Sequence, residues 1–375
     1  MHLLYDLLFD YTLRNVALGT LLLGLGAGAI GSFMTLRGES LIGDAIAHAT
    51  LPGVVLAYLF ASAKDPHVLL LGAAAAGVLG IGAIMGLTRT TKIDGDGANG
   101  IILSIFFGFG LLLLTYIQKL PSASQAGLDR FIFGQAATIV ARDVVLIAIV
   151  QSVVLLTLIL FFKELKSSTF DPQSTTVMGF NRQIIDAIFA ALLVAVIVTG
   201  LQTVGVILIS ALLVTPAAAA RQWTHSLKTM VILSSLFSGI SGMAGSLISA
   251  ARMNLPTGPV IVLCLTAIVI VSLLFGSRRG LVIKRIAQIK RHRRFDRRRI
   301  LLALDELSRS HRESGLYHSR HTIALMVGVR HGMRRLLTRL TLEGLILEEG
   351  DSYLLSEAGA AAIAHLRREE VDHDR

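Results

Sequence analysis

Runs of about 20 apolar residues, long enough to cross roughly 30 Å of hydrocarbon, recur near 13–35, 42–62, 67–88, 97–118 and 142–162. A longer run, Ile184 to Ala220, exceeds one crossing and predicts two helices broken near Gln202 to Gly205. Two further spans are expected near 229–250 and 258–276. The pattern therefore predicts an all-α polytopic membrane protein with eight or nine transmembrane helices, ending at about residue 277. Beyond that point the apolar runs shorten and polar residues interleave with them.

Composition agrees with this division. Hydrophobic residues make up 53% of the 375-residue chain and charged residues 16%, and the mean hydropathy is +0.69, outside the range of ordinary soluble globules. One cysteine, Cys264, lies in an apolar run, which excludes a disulfide framework and implies no cysteine-based metal site. Asp6 and Asp10 stand where a secretory leader would carry positive charge, so the first run is expected to remain as a span.

Charge separates the two parts further. Arg278–Arg375 holds 21 of the 35 Lys and Arg and 13 of the 25 Asp and Glu, hence +8 of the net +10. The stretch "SRRGLVIKRIAQIKRHRRFDRRR" follows the last span with eleven basic residues and one acid. Such a run costs too much to translocate and suits an anionic cytoplasmic leaflet, so the C-terminus is expected inside. The expected organisation is a transmembrane domain over 1–277, a basic juxtamembrane linker over 278–296 and a small domain over 297–375.

Small residues cluster in "GTLLLGLGAGAIGS" and "SGISGMAGS". At three- and four-residue spacings they let membrane helices approach closely. Packing within one subunit is the preferred reading, and a dimer seam the alternative.

Ionisable side chains inside spans are costly, so each is a candidate functional group. In "GDAIAHATLPG", Asp44 and His48 stand four residues apart and so share a helix face about one turn apart. Carboxylate oxygen and neutral imidazole nitrogen both ligate divalent cations. Each has a plainer reading: Asp44 as a helix N-cap, His48 as a hydrogen-bonded interior histidine. Pro52 has no N–H for the carbonyl of His48, which is left to act as a ligand, take a water or kink the helix. Two ligands are few, but a two-fold dimer would bring a second Asp and His, an N2O2 set suited to manganese, zinc or ferrous iron. Asp186 and Gln202 either line a pathway or bond to neighbouring backbone. His67 reads as interfacial and His225 as solvated; none of these four is assigned a role.

The polar stretch "FKELKSSTFDPQSTTVMGFNRQ" punctuates a short helix, with Asp171 as its cap, Pro172 at its first position and Gly179 past its end. Placed between spans, it is suited to dock a partner, or it is an ordinary connector. No G-x-x-x-x-G-K-[ST] loop occurs in the chain, so an ATP-driven activity would need an ATPase on another polypeptide.

Four segments, in order, resemble the membrane permeases of ABC importers for manganese, zinc and iron. "GDAIAHATLPGV" is similar to the family's G-D-A-[IV]-[SA]-H-[AS]-x-L-P-G segment and "LDRFIFGQ" to its L-D-x-x-L-F-G segment. "FKELKSSTFDPQSTTVMG" resembles its F-K-E-L-x-x-x-x-F-D-P stretch, and "QTVGVILISALLVTPAAAAR" its Q-x-V-G-x-x-L-x-x-A-L-L-x-x-P-A-A-x-A stretch. The likeness covers about residues 10–277. It implies a homodimer, or a heterodimer with a related permease, on cytoplasmic ATPases and fed by an extracytoplasmic metal-binding protein. It also implies that Asp44 and His48 line the pathway and that Phe170, Asp171, Pro172 and Gly179 belong to the ATPase-coupling loop. Arg130 stands where the family often has histidine.

The tail carries a second likeness. Helices are expected near 297–310, 319–327 and 330–343, then two strands in "LILEEGDSYLLS" joined at Gly350-Asp351, then a helix capped by Ser356. That order is a winged helix-turn-helix, an α+β domain, and "MRRLLTRLTLEGLI" and "YLLSEAGAAAI" resemble iron-dependent repressors. Met333, Leu336, Leu337 and Leu340 form a core stripe that leaves Arg330, Arg334 and Arg339 outside, able to meet lipid headgroups or, as the less favoured reading, nucleic acid.

The function expected is a permease passing Mn2+, Zn2+ or Fe2+ inward across the bacterial plasma membrane, with no permanently bound cofactor and no catalytic residue. A gradient-driven transporter or channel and a membrane-tethered regulator are the alternatives.

Overall fold

The computed structural model describes residues 10–61, 66–119, 139–251, 255–277, 280–310, 317–328 and 333–364. Contacts divide the chain into two units, Met1–Leu281 and Val282–Arg375.

In the first unit, α1 (Tyr11–Leu36) runs through the centre and packs most extensively against α11 (Leu227–Ala250). Asp10 starts α1, accepting the Leu13 N–H at 3.0 Å. The two glycine- and serine-rich stripes account for the α1–α11 contact: Gly24 and Gly28 lie against the backbone at Ser238 and Ser234, and the Ser234 hydroxyl donates to the Gly28 carbonyl at 2.7 Å. These stripes therefore pack within one chain, where close backbone approach supplies dispersion contacts that lipid does not. Gly31 of α1 is the tightest case, because a Cβ there would overlap the Leu213 carbonyl oxygen, and backbone cannot swing away. Gly31→Ala should thus lose most folded protein, measured as the monodisperse fraction on size-exclusion in detergent. Gly82→Ala, facing open space, should behave as wild type.

The helix carrying the candidate site is broken. The segments α2 (Ile42–Ala49) and α3 (Leu51–Ala61) meet at Thr50, whose hydroxyl donates to the Ala47 carbonyl at 2.6 Å. Pro52 sits in the first turn of α3, where a missing N–H leaves no helical bond unmade. The bundle continues through α4 (Pro66–Thr90), α5 (Gly95–Gln118) and α6 (Ala141–Leu160). Two short helices, α7 (Phe162–Phe170) and α8 (Pro172–Val177), lead into α9 (Arg182–Val204).

A second break separates α9 from α10 (Val206–Ala220). Gly205 has φ +84° and joins the helices without a loop, a conformation only glycine adopts without strain. Among the described residues, eight helices, with α2 and α3 taken together, are long and apolar enough to cross a membrane. α10, at 15 residues, is shorter than a full crossing, and α11 and α12 (Thr257–Phe275) complete the bundle.

The second unit contains α13 (Leu281–Ser310), β1 (His318–Ser319), α14 (Arg320–Val327), α15 (Met333–Leu342), β2 (Ile346–Glu349) and β3 (Ser352–Leu355). α13 extends the helix expected from residue 297 back through the basic stretch. The antiparallel sheet has the order β1-β3-β2, with Glu349 opposite Ser352 at the hairpin and His318 opposite Tyr353. Ile300, Leu304, Ile323, Val327, Leu337 and Tyr353 form its core. Ser356 begins a last helical stretch over 357–364, accepting the Gly359 N–H at 3.0 Å.

Candidate functional site

α2 turns two sides to different surroundings. Ala45, Ile46, Ala47 and Ala49 are buried in the bundle, while the Asp44 and His48 side chains remain 45% and 26% exposed. Their spacing brings His48 Nε2 to 3.7 Å from Asp44 Oδ1. The same oxygen accepts from the Ser210 hydroxyl at 3.1 Å, delivered by the first part of α10 just beyond the Gly205 break. The His48 ring stands edge-on to Phe107 of α5, centroids 4.7 Å apart. Beside it, Leu51, Phe107, Leu201 and Val206 enclose a nearly apolar void of about 20 Å³. An imidazole, a carboxylate and a hydroxyl thus meet in an otherwise apolar wall, a set that suits a borderline-hard divalent cation. Among the described residues no group of three or more His, Cys, Asp or Glu side chains is poised to hold a metal.

A second polar centre lies where α1, α4, α7 and α9 end or begin. Asp186, in the first turns of α9 and 15% exposed, faces three guanidinium groups: Arg37 at 3.2 Å, Arg182 at 3.5 Å and Arg89 at 3.7 Å. Arg37 also donates to Thr169 of α7 at 3.3 Å and lies 4.2 Å over the Phe189 ring. Multiple bonds of this kind offset the cost of burying the charges. The sequence left Asp186 without a role. Two signals pointed to it: Arg182 and Asp186 at i and i+4 on a helix start, and an arginine directly after α1.

A cleft of about 1060 Å³ opens beside this centre, lined by Arg37, Glu39, Arg89, Pro172 and Asp186 among others. Burial raises the Glu39 carboxyl above the ordinary glutamate range; Arg37 opposes the shift and Asp186 adds to it. The folded state therefore holds the proton to higher pH than the unfolded chain does. Its stabilising contribution is present in acid and is lost as pH rises through the raised value. Glu39→Gln should raise the melting temperature at neutral pH, with the gain shrinking as pH falls through the raised value and gone once pH is below the ordinary glutamate range, as read by thermal unfolding across that range.

The segment after α6 folds more than the sequence suggested, since "FKELKSSTF" is itself the helix α7. Asp171 joins α7 to α8, Pro172 opens α8, and Gly179, with φ +83°, follows it. The Thr175 hydroxyl lies 2.9 Å from Ser167 Oγ and donates to the Asp171 carbonyl at 2.9 Å, fixing the two helices at their corner. Phe170, Val177 and Met178 are 59%, 88% and 62% exposed. Three large apolar side chains thus stand at one end of the bundle, beside the Asp186 centre.

Other expected residues are dispersed. Gln202 lies in the last turn of α9, and His67 lies 2.5 Å from an Arg142 guanidinium nitrogen. Arg334 and Arg339 are exposed on α15, and Arg339 pairs with Glu343 at 3.3 Å. Arg330 and the "LDRFIFGQ" segment with Arg130 lie outside the described residues.

A family model described as the ABC 3 transport family matches residues 9–276. The chain belongs to the ABC 3 transport family. The zinc transport system membrane protein TroC of Treponema pallidum (strain Nichols) is 55% identical over 282 residues, 75% of this ABC 3 chain and 95% of that protein. The manganese transport system membrane protein MntC of Bacillus subtilis (strain 168) is 47% identical over 291 residues, 78% of this chain and 67% of that one. Among solved structures, PsaBC from Streptococcus pneumoniae in complex with Fab matches with TM-score 0.65 and 32% identity, over 74% of this chain and 96% of the other. The family match ends at residue 276, so the second unit is an addition to the ABC 3 part of the chain.

Proposed function

We propose that this chain is the permease subunit of an ATP-driven importer of divalent transition metals, carrying manganese, zinc or iron across the bacterial plasma membrane. The observation that carries the reading is the meeting of Asp44, His48 and Ser210 in an apolar wall, on a chain whose relatives are named for zinc and manganese transport. Asp44 and His48 act as transient ligands, and a second permease copy presents its own pair across a two-fold axis. The ion exchanges part of its water shell for this N2O2 set and is released because the set is small. An extracytoplasmic metal-binding protein delivers the ion.

ATP hydrolysis is supplied by a cytoplasmic ATPase seated against α8, where exposed Val177 and, just past the helix end, Met178 suit an apolar socket. This orientation puts the basic α13 and the second unit in the cytoplasm, in keeping with the eleven basic residues after the last span. The helix order and the β1-β3-β2 sheet of that unit support a winged helix. Its basic surface, including Arg334, is read as facing anionic lipid.

The test is reconstitution. Liposomes holding the chain with its ATPase should accumulate manganese or zinc only when ATP is supplied. Uptake by the chain alone under an ion gradient would instead establish a secondary transporter. Val177→Asp should also lower co-purification of the ATPase by about tenfold, because a charge would enter the apolar contact at a cost of roughly 1–3 kcal/mol. Unchanged co-purification would remove α8 from the interface.

A further inference from the structure

We propose that Ser210 is a third metal donor in each half of the translocation site, and that it biases the permease toward manganese over zinc. The inference rests on the reading of Asp44 and His48 as metal ligands and extends it to a residue on another helix.

The geometry of one hydroxyl carries it. Ser210 Oγ lies 3.1 Å from Asp44 Oδ1 and 3.2 Å from the carbonyl oxygen of Val206. A serine hydroxyl has one hydrogen and two lone pairs, so it donates to one of these oxygens at a time. With no ion present, donation to Asp44 gives one oxygen of this half-exposed carboxylate a protein partner. When a cation reaches Asp44, a hydrogen pointing at that carboxylate is repelled. The Val206 carbonyl already lies within bonding distance, so a rotation about the Cβ–Oγ bond moves the hydrogen there and turns a lone pair toward the ion. No proton leaves the protein, and no backbone needs to move.

The donor set then changes in number and kind. Asp44 Oδ1 has Ser210 Oγ at 3.1 Å and His48 Nε2 at 3.7 Å, so an ion held by that oxygen has both groups beside it. Two such halves supply six donors, two nitrogens and four oxygens, where Asp44 and His48 alone supply four. Six-coordination rich in oxygen suits manganese, whereas zinc is satisfied by four ligands and gains little from a neutral hydroxyl. The α9–α10 break positions Ser210 for this role, because Gly205 starts α10 afresh and brings its fifth residue opposite Asp44. A purely structural serine would only back-bond to its own helix, as many do.

The experiment is titration of the full-length permease, assembled with its ATPase, with manganese(II) alone and with zinc(II) alone. Ser210→Ala should reduce the manganese-to-zinc affinity ratio about tenfold, and Ser210→Thr, which keeps the hydroxyl, should restore it. Ser210→Cys should push the ratio further toward zinc, since sulfur is the softer donor. The low-temperature manganese spin-resonance spectrum of the loaded protein should change with Ser210→Ala and return with Ser210→Thr. An unchanged ratio in Ser210→Ala, or an equal loss of both metals, would overturn the role of Ser210. Asp44→Ala separates the two levels. If it removes binding while Ser210→Ala leaves the ratio untouched, the serine inference alone fails; if it leaves binding intact, the underlying metal site fails with it.

Discussion

Asp44→Ala and His48→Ala should each reduce ATP-driven metal uptake in reconstituted liposomes to the order of 1% of wild type, while the permease still assembles with its ATPase. The loss follows from what the ion gives up. A divalent cation entering a wall of low polarity must replace its water with protein donors, and even outer-sphere partners of metal ligands are worth about 10- to 100-fold in affinity. Asp44→Ala removes the negative charge that makes the exchange favourable and leaves a neutral imidazole beside a hydroxyl. His48→Ala removes the nitrogen that a transition metal prefers over water and enlarges the void of about 20 Å³ next to it. Assembly should survive because the side of α2 that packs is made by Ala45, Ile46, Ala47 and Ala49, which neither change touches. Near-normal uptake in either variant would remove these residues from the pathway.

Asp186→Ala should have the second largest effect, on folding and assembly. It withdraws the carboxylate facing Arg37, Arg89 and Arg182. Arg89 and Arg182 are 45% and 54% exposed and can turn to water, but the Arg37 side chain is 9% exposed and cannot. Stranding a buried charge of this kind costs roughly 3–5 kcal/mol, a large share of a typical folding free energy. Low yield and a markedly lower melting temperature in detergent are expected. Asp186→Leu combined with Arg37→Met should recover much of the loss, since apolar groups of similar volume avoid the desolvation altogether. If the single variant melts with wild type, the cluster is a surface ornament and the account of this end of the bundle is wrong.

Most of the bundle was legible because hydrocarbon imposes a length on every helix that crosses it. The break expected near Gln202 to Gly205 falls at Gly205, where an overlong apolar run contains a residue able to take a positive φ. The glycine stripes were legible for a similar reason: nothing but close packing calls for so many small residues. Asp44 and His48 could be paired from the i, i+4 rule alone, which the structure expresses as a 3.7 Å separation.

Contacts between distant segments were not legible. Ser210 and Asp44 are 166 positions apart, and a serine in an apolar helix ordinarily means no more than a bond to its own backbone. The Asp186 cluster draws on four elements, of which only Arg182 is a local neighbour. In the second unit, the strand β1 of two residues is too short to show alternation, and it exists only because β3 offers it an edge. Helix α7 was hidden by its polar composition, whereas Pro172 and Gly179 marked α8 clearly.

The central claim is that metal passes between Asp44 and His48 of paired permeases. X-ray absorption at the manganese edge of the loaded, ATPase-bound transporter tests it most directly. The account predicts imidazole scattering from an oxygen- and nitrogen-ligated ion, lost in His48→Ala. An imidazole signal that persists in that variant, or none in the wild type, would contradict it.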